Sequence, residues 1–352
     1  MEEASLYNGP IIDPHVHFWN PATTPREVTP LVRLFGCSPS LMDFLARILF
    51  PKAVVLFCVD GKYILRPYMP EDYEEDCKKH RVEGMVHLDA GWQGNPVDET
   101  KWVDGLPSKI MIRGIVGMVD MTKGPIVVDQ VLQDHKQASE RFVGVRFNLM
   151  WHKDKLVLKE KAKEGTSQSA PFRESFGLLS KYNLTFETYC YSTQVMEILD
   201  LALAFPEQKI LVDHAASPIG VGGAYASLGK TSEEREKILQ DWKDSMTKLS
   251  QCPKVYVKLS GLPMAITGFG FEEQTASVDD LVTKIGPLIL HVIDAFGPQR
   301  CMFASNYAVE KVFVSLDTSF TAYKVIAKHY SSDDQALLFG GSAAEFYGLD
   351  AQ

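Results

Sequence analysis

The sequence predicts an α/β fold: a single distorted (β/α)8 TIM barrel with an elaborated loop after its first strand. Short β-branched runs alternate with longer amphipathic stretches along most of the 352 residues. Several runs, such as Ile210-Leu211-Val212 and Val255-Tyr256-Val257-Lys258-Leu259, are apolar on both faces, as parallel strands covered on both sides require. Eight such runs, most followed by a helical pattern, fit a closed barrel. A doubly wound sheet is the alternative, weakened because no G-x-G-x-x-G follows the first strand.

The predicted strands cover 11–17, 82–89, 110–116, 143–149, 184–188, 209–213, 254–259 and 301–304. Amphipathic helices are expected at 127–140, 172–181, 193–205 and 232–250, where apolar residues recur with the helical period. One further run, 52–60 (KAVVLFCVD), also reads as a strand and would make a ninth. It lies in a connection of about sixty residues, far longer than a barrel needs, so residues 18–81 are read as an insertion over the barrel mouth. That insertion holds a helix at 40–50 and an aromatic, proline-rich segment at 63–73. The alternative is that 52–60 is a barrel strand and one of the eight is misassigned. Smaller insertions are expected near 155–170 and 220–230. First and last strands are both needed for one site, so 1–352 is read as one domain.

Composition narrows the function classes. The formal net charge is −9, which disfavours nucleic-acid binding. No apolar run approaches the ~20 residues of a membrane span, and the acidic start MEEASLYNGP is not a secretory signal. The six cysteines are scattered without a C-x-x-C pair, in keeping with reduced thiols and a cytoplasmic location. The expected partner is a small-molecule substrate; a homo-oligomer is possible.

The strongest local chemistry is Asp13-Pro14-His15-Val16-His17. Strand alternation places Asp13, His15 and His17 on one face, and two imidazoles at i and i+2 can reach one metal ion. The other reading is that the histidines only hydrogen-bond in the core. His214, in Val212-Asp213-His214, falls at the mouth end of a strand, with Asp213 or Asp89 available to orient a ligand histidine. Arg146 lies on a strand, where a buried cation needs an anion. Either it pairs with an internal acid such as Glu187 or it binds a substrate carboxylate. Lys258 poses the same question, with an internal pair favoured. Asn306, at the end of the last strand, can hydrogen-bond but cannot act as a base.

These motifs, in the order IIDPHVHFW, GMVHLDAGWQG, RFVGVRFN, LVDHAASP, KVYVKLSGL and RCMFASNY, resemble the amidohydrolase-related family of metal-dependent hydrolases. The nearest branch is that of L-fuconolactonase and 2-pyrone-4,6-dicarboxylate lactonase. The resemblance implies a site at the C-terminal mouth, with His15, His17 and His214 around a divalent metal, by expectation zinc, or around the substrate carbonyl in a metal-independent enzyme. It implies hydrolysis of a lactone ester by an activated water. The family's last strand usually ends in an aspartate that serves as base. Here that position is Asn306, in Ser305-Asn306-Tyr307-Ala308. Hydroxide generated at a three-histidine metal, or a base drawn from Glu187 or Asp89, would have to replace it; pairing with Arg146 is the favoured alternative for Glu187. Substrate contacts are expected from Arg146, Trp19, Arg66, Tyr68, Trp92, Trp151, His152, Tyr189 and Lys258. Rival readings are an aromatic-acid decarboxylase of the same superfamily and a catalytically decayed barrel acting as a binding protein.

Overall fold

Eight parallel strands follow one another around a single sheet in chain order. They are β1 (Ile11–Val16), β2 (Val82–Leu88), β3 (Met111–Met118), β4 (Phe142–Arg146), β5 (Thr185–Tyr189), β6 (Ile210–Asp213), β7 (Val255–Leu259) and β8 (Cys301–Phe303). This is a computed structural model, and it describes residues 6–35, 38–58 and 61–349. The ends of the sheet meet through a parallel bridge between Val16 and Tyr307, reinforced by a 2.7 Å bond from the His17 N–H to the Tyr307 carbonyl. Each predicted strand is present, with ends within about three residues, and so are the helices, here Pro125–Ala138, Ala170–Phe176, Val195–Ala204 and Ser232–Leu249; the second stops five residues short of its expected end at 181.

Strands and helices hold one another by burial. The outward faces of the strands pack on the helix ring, with Ile112, Phe186, Val212 and Val257 fully or nearly fully buried. The inward faces form a separate cluster of Val86, Leu88, Val116, Leu211, Tyr256 and Met302. The C-terminal helix Ser342–Tyr347 adds Ala343, Phe346 and Tyr347 to that cluster and so plugs the N-terminal end of the barrel. The interior is then apolar at its base and polar above, which confines chemistry to the opposite, C-terminal end.

The ninth strand does not form. Residues 52–58 are a helix, Lys52–Cys58; residues 59 and 60 lie outside the described residues. A β-branched run becomes a strand when an edge is available to pair with, and the eight barrel strands leave this segment none. It sits where the insertion was expected, between β1 and β2, beside the helices Thr29–Phe35, Pro39–Leu49, Gly61–Ile64 and Pro70–Cys77. The base of the insertion is fastened by an antiparallel bridge in which Trp19 and Tyr68 exchange backbone bonds of 3.0 and 2.8 Å. Leu31, Val32, Met42 and Leu65 form its own small core.

Cys58, Cys77, Cys190, Cys252 and Cys301 are free thiols; Cys37 lies outside the described residues. Among the described residues no helix is long and apolar enough to cross a membrane.

Candidate active site

The polar interior is stacked in layers along the barrel axis. Lowest is Glu187 on β5, whose carboxylate accepts from Lys258 on β7 and from the Tyr347 hydroxyl. All three side chains are buried. The Lys258 ammonium also stands 3.4 Å from Asp213 Oδ1. Asp213, at the end of β6, takes a 3.1 Å bond from Arg146 Nε, and its Oδ1 faces His15 Nδ1 at 3.4 Å. Burial opposes ionisation of Asp213, but Lys258, His15 and Arg146 together hold its carboxyl well below the usual range. This sequence of buried pairs carries charge from the barrel core to the histidines without an uncompensated ion.

The histidines sit on top. His15 Nε2 and His17 Nε2 are 3.0 Å apart. His17 Nδ1 lies 3.0 Å from the Leu88 carbonyl, so that nitrogen carries the proton and Nε2 presents a lone pair. His15 Nδ1 faces the Asp213 carboxylate at 3.4 Å. With the His15 proton on that nitrogen, the two Nε2 lone pairs would converge on one cation; in the other tautomer His15 Nε2 donates to His17 Nε2. Nitrogens each ~2.0–2.1 Å from one tetrahedral ion stand roughly 3.3 Å apart. His214 stacks at 4.7 Å from the His15 ring, with its Nδ1 held 2.9 Å from Ser260 Oγ. Burial pushes His15 and His17 well below the ordinary histidine value and His214 to about 3, so all three are neutral, the ligating form. The donor set fits a divalent metal. His15, Asp213 and His214 also place donor atoms within 4.8 Å of one another, but Asp213 is engaged by Arg146 and Lys258. That leaves Asp213 placed against His15 Nδ1, where a carboxylate would orient the ring.

Local backbone geometry puts His214 in place. His214, Ala215 and Ala216 have φ of 57°, 50° and 48°, a left-handed turn that non-glycine residues adopt only when the surroundings impose it. Opposite, Gly261 has φ of 72°, and a Cβ there would lie 2.3 Å from His214 Cβ. Only glycine lets β7 approach the histidine this closely.

A cavity of about 700 Å³ opens above, with His17, Asp89, Arg146, Tyr189, His214 and Asn306 in its floor. Asp89, just beyond β2, lines it together with Glu27 and Glu160. Its nearest cation is Arg146, Nη1 to Oδ1 3.6 Å, and Oδ1 has no hydrogen-bond partner. Burial raises the Asp89 pKa against the pull of Arg146, with Glu99, Glu160 and Asp213 adding to the rise, to about 7. Asn306 has φ of 53° and directs its amide to Met264 Sδ at 3.7 Å. Behind it lies Glu310, fully buried, accepting from the Gly261 N–H at 2.5 Å.

Of the residues expected from sequence, Trp19, Trp92, Arg146, Tyr189, His17, His214 and Asn306 line the cavity, and His15 joins them from behind His17. Tyr189 packs edge-on to His214 and bonds Ser217 Oγ at 3.2 Å. The others lie elsewhere. Arg66 is exposed, and its carbonyl accepts from the Trp19 indole N–H. Tyr68 is buried in the insertion, bonded to Asp76. Trp151 carries Lys159 over its ring outside the cavity wall, and His152 Nδ1 caps a turn by accepting from the Asp154 N–H. Lys258 and Glu187 are sealed below the histidines. Glu187 pairs with Lys258 and Tyr347 rather than with Arg146, its register partner on β4, because the Arg146 guanidinium is directed to Asp213. Asp13 also departs from expectation. The β1 register slips between Asp13 and Val16, across Pro14, so alternation breaks. Asp13 instead accepts from Tyr73 at 2.7 Å and from the Ser305 N–H at 3.0 Å. Ser260, Met264 and Glu310 escaped sequence reasoning; no short-range spacing marks them, since each acts across a barrel gap.

A protein of Sinorhizobium fredii, y4mH, is 31% identical over 341 residues, 96% of this chain and 98% of the relative. L-fucono-1,5-lactonase of Burkholderia ambifaria is 23% identical over 295 residues, 82% and 87% of the two chains. The crystal structure of an amidohydrolase from Burkholderia multivorans with bound zinc superposes with a TM-score of 0.71 at 21% identity, covering 97% of this chain and all of that one. The amidohydrolase family profile matches residues 12–349, nearly the whole chain and every group of the site above, and this protein is therefore a member of the amidohydrolase family.

Proposed function

We propose that the protein hydrolyses the ester bond of a small lactone. The observation that carries this reading is the meeting, around one cavity floor, of the neutral histidines with Asp89, a carboxylate that lines the same cavity beside Arg146. The resemblance to L-fucono-1,5-lactonase supports the reaction class.

His15, His17 and His214 would hold a divalent ion, zinc by the character of the donors, which supplies Lewis-acid polarisation and an acidified water when bound. The chain's own groups do the rest. Asp213 holds His15, the Leu88 carbonyl holds His17 and Ser260 holds His214, so the imidazoles need no reorganisation. Asp89 takes the proton from the attacking water as its oxygen bonds to the lactone carbonyl carbon. When the ring C–O bond breaks, Asp89 returns that proton to the departing alkoxide, giving the open hydroxy acid. Asn306 cannot take a proton; it donates to the substrate rim. Arg146 keeps Asp89 and Asp213 in register. Its Nε is already bonded, which favours positioning over anchoring a substrate carboxylate.

Incubating the purified enzyme with a lactone panel, while following acid release and CO2 release in parallel, tests this. Acid release without CO2, lost in His15→Ala and His214→Ala, is expected. CO2 release from an aromatic acid would replace the reading with a decarboxylase. Ligand binding without any turnover would make the chain a binding protein.

A further inference from the structure

We infer that the substrate carries an apolar arm, alkyl or aryl, beside its lactone ring, and that the insertion between β1 and β2 binds this arm; the inference rests on the lactonase reading above. The cavity of about 700 Å³ lies within the range that takes up drug-sized ligands, ~300–1,000 Å³. A lone lactone ring, with its carbonyl against the floor, occupies only the lower part.

The upper wall is apolar. It is built from Phe50, Val54, Val55, Phe57, Ile64 and Leu65 of the insertion. The helix Lys52–Cys58 shows why: none of its residues is buried, and Val54, Val55 and Phe57 are half-buried. They border the cavity, with Phe57 also packed against the main core, and apolar surface left beside water is what an apolar ligand covers. A polyhydroxylated ring would place its hydroxyls against this wall and lose water there without gaining partners.

Two cations of the wall are tied to acids. Arg146 bonds Asp213 and faces Asp89, and Arg26 pairs with Glu99 at 3.3 Å. Lys159, Glu160 and Lys161 form one stretch of mixed sign, unlike a cradle for a dicarboxylate. An apolar arm matches the wall; a second carboxylate does not.

The experiment is a rate series on the full-length enzyme: δ-valerolactone, its ring-alkylated homologues from methyl to hexyl, and L-fucono-1,5-lactone as polar comparator. We expect kcat/KM to rise about fourfold per methylene, the equivalent of ~0.8 kcal/mol per buried CH2, and the hexyl homologue to exceed the sugar lactone. Val54→Asp is expected to flatten the rise. The wild-type slope needs no variant, so the inference is testable even if that substitution fails to fold. A flat or falling wild-type series, or a preference for the sugar lactone, overturns the apolar arm and leaves the lactonase reading standing. Absence of turnover on every lactone overturns the lactonase reading, and the arm with it.

Discussion

Arg146 donates from Nε to Asp213 Oδ2 at 3.1 Å, and this bond decides what the arginine can do. Its Nη1 lies 3.6 Å from Asp89 Oδ1, so one guanidinium spans the acid that orients His15 and the acid exposed to the cavity. A side chain tied on both sides is a positioning residue. In Arg146→Gln the acid limb of the activity profile is expected to move to higher pH, because Arg146 is the cation that lowers the Asp89 pKa. A rise in KM with kcat and the pH limb unchanged would instead mark a substrate anchor.

Asp89 carries the proton in the proposed reaction. With its carboxyl pushed up to about 7, the basic form is lost as pH falls, so kcat/KM should drop about tenfold per unit below pH ~7. Asp89→Asn should cost roughly 10²–10⁴ in kcat with little change in KM. Placing Asn306→Asp in that background should recover part of the loss if a carboxylate from β8 reaches the same water. An Asp89→Asn enzyme with wild-type kcat would remove Asp89 from the mechanism.

The histidine cluster predicts linkage between metal and stability. A ligand bound only by the folded state raises Tm, and metal affinity needs all three imidazoles neutral. Chelation should lower Tm in the wild type, and the shift should vanish in His15→Ala and His214→Ala, whose metal content by elemental analysis should fall together. An unchanged chelator response in both variants would refute these ligands.

Below the histidines, Lys258 and Glu187 form a buried pair in which removing one partner leaves the other uncompensated. Lys258→Met should cost about 3–5 kcal/mol of stability. The double variant Lys258→Met/Glu187→Gln should be more stable than the single one, as measured by denaturant unfolding; additivity of the two losses would contradict direct pairing.

Glu310 sets a pH signature of its own. Burial raises its carboxyl to about 8, against the Gly261 and Asn306 hydrogen bonds, with Asp13 adding to the rise. The unfolded value is about 4.3, so the folded state binds the extra proton between these limits. The stability it contributes is present below pH ~4 and is lost as pH rises towards about 8. The Tm of Glu310→Gln relative to wild type should therefore increase across that window. A constant difference would show that the carboxyl is ionised throughout.

Much of this was legible in the chain itself. Strand positions were readable because parallel strands buried on both faces leave apolar, β-branched runs, and the position of His15, His17 and His214 near the barrel mouth followed from the strand ends they occupy. The helix at Lys52–Cys58 was misread as a strand because its apolar residues answer to a cavity, and a run of that length has the same composition in either form. Asp13 was misplaced because alternation presumes an even register, and the slip at Pro14 depends on how β1 lies against β2. The partners of Arg146, Glu187 and Lys258 were decided only in three dimensions. Each is an internal ion on a different strand, and which charges meet depends on the height of each residue along the barrel axis, a consequence of strand stagger. The sequence by itself determined the barrel, its open end and the histidines; the tertiary structure decided that Asp213 orients, Arg146 bridges, Glu187 is sealed beneath and Asp89 faces the cavity. Local pattern records which face of an element is apolar, but pairing among buried charges exists only once eight strands close.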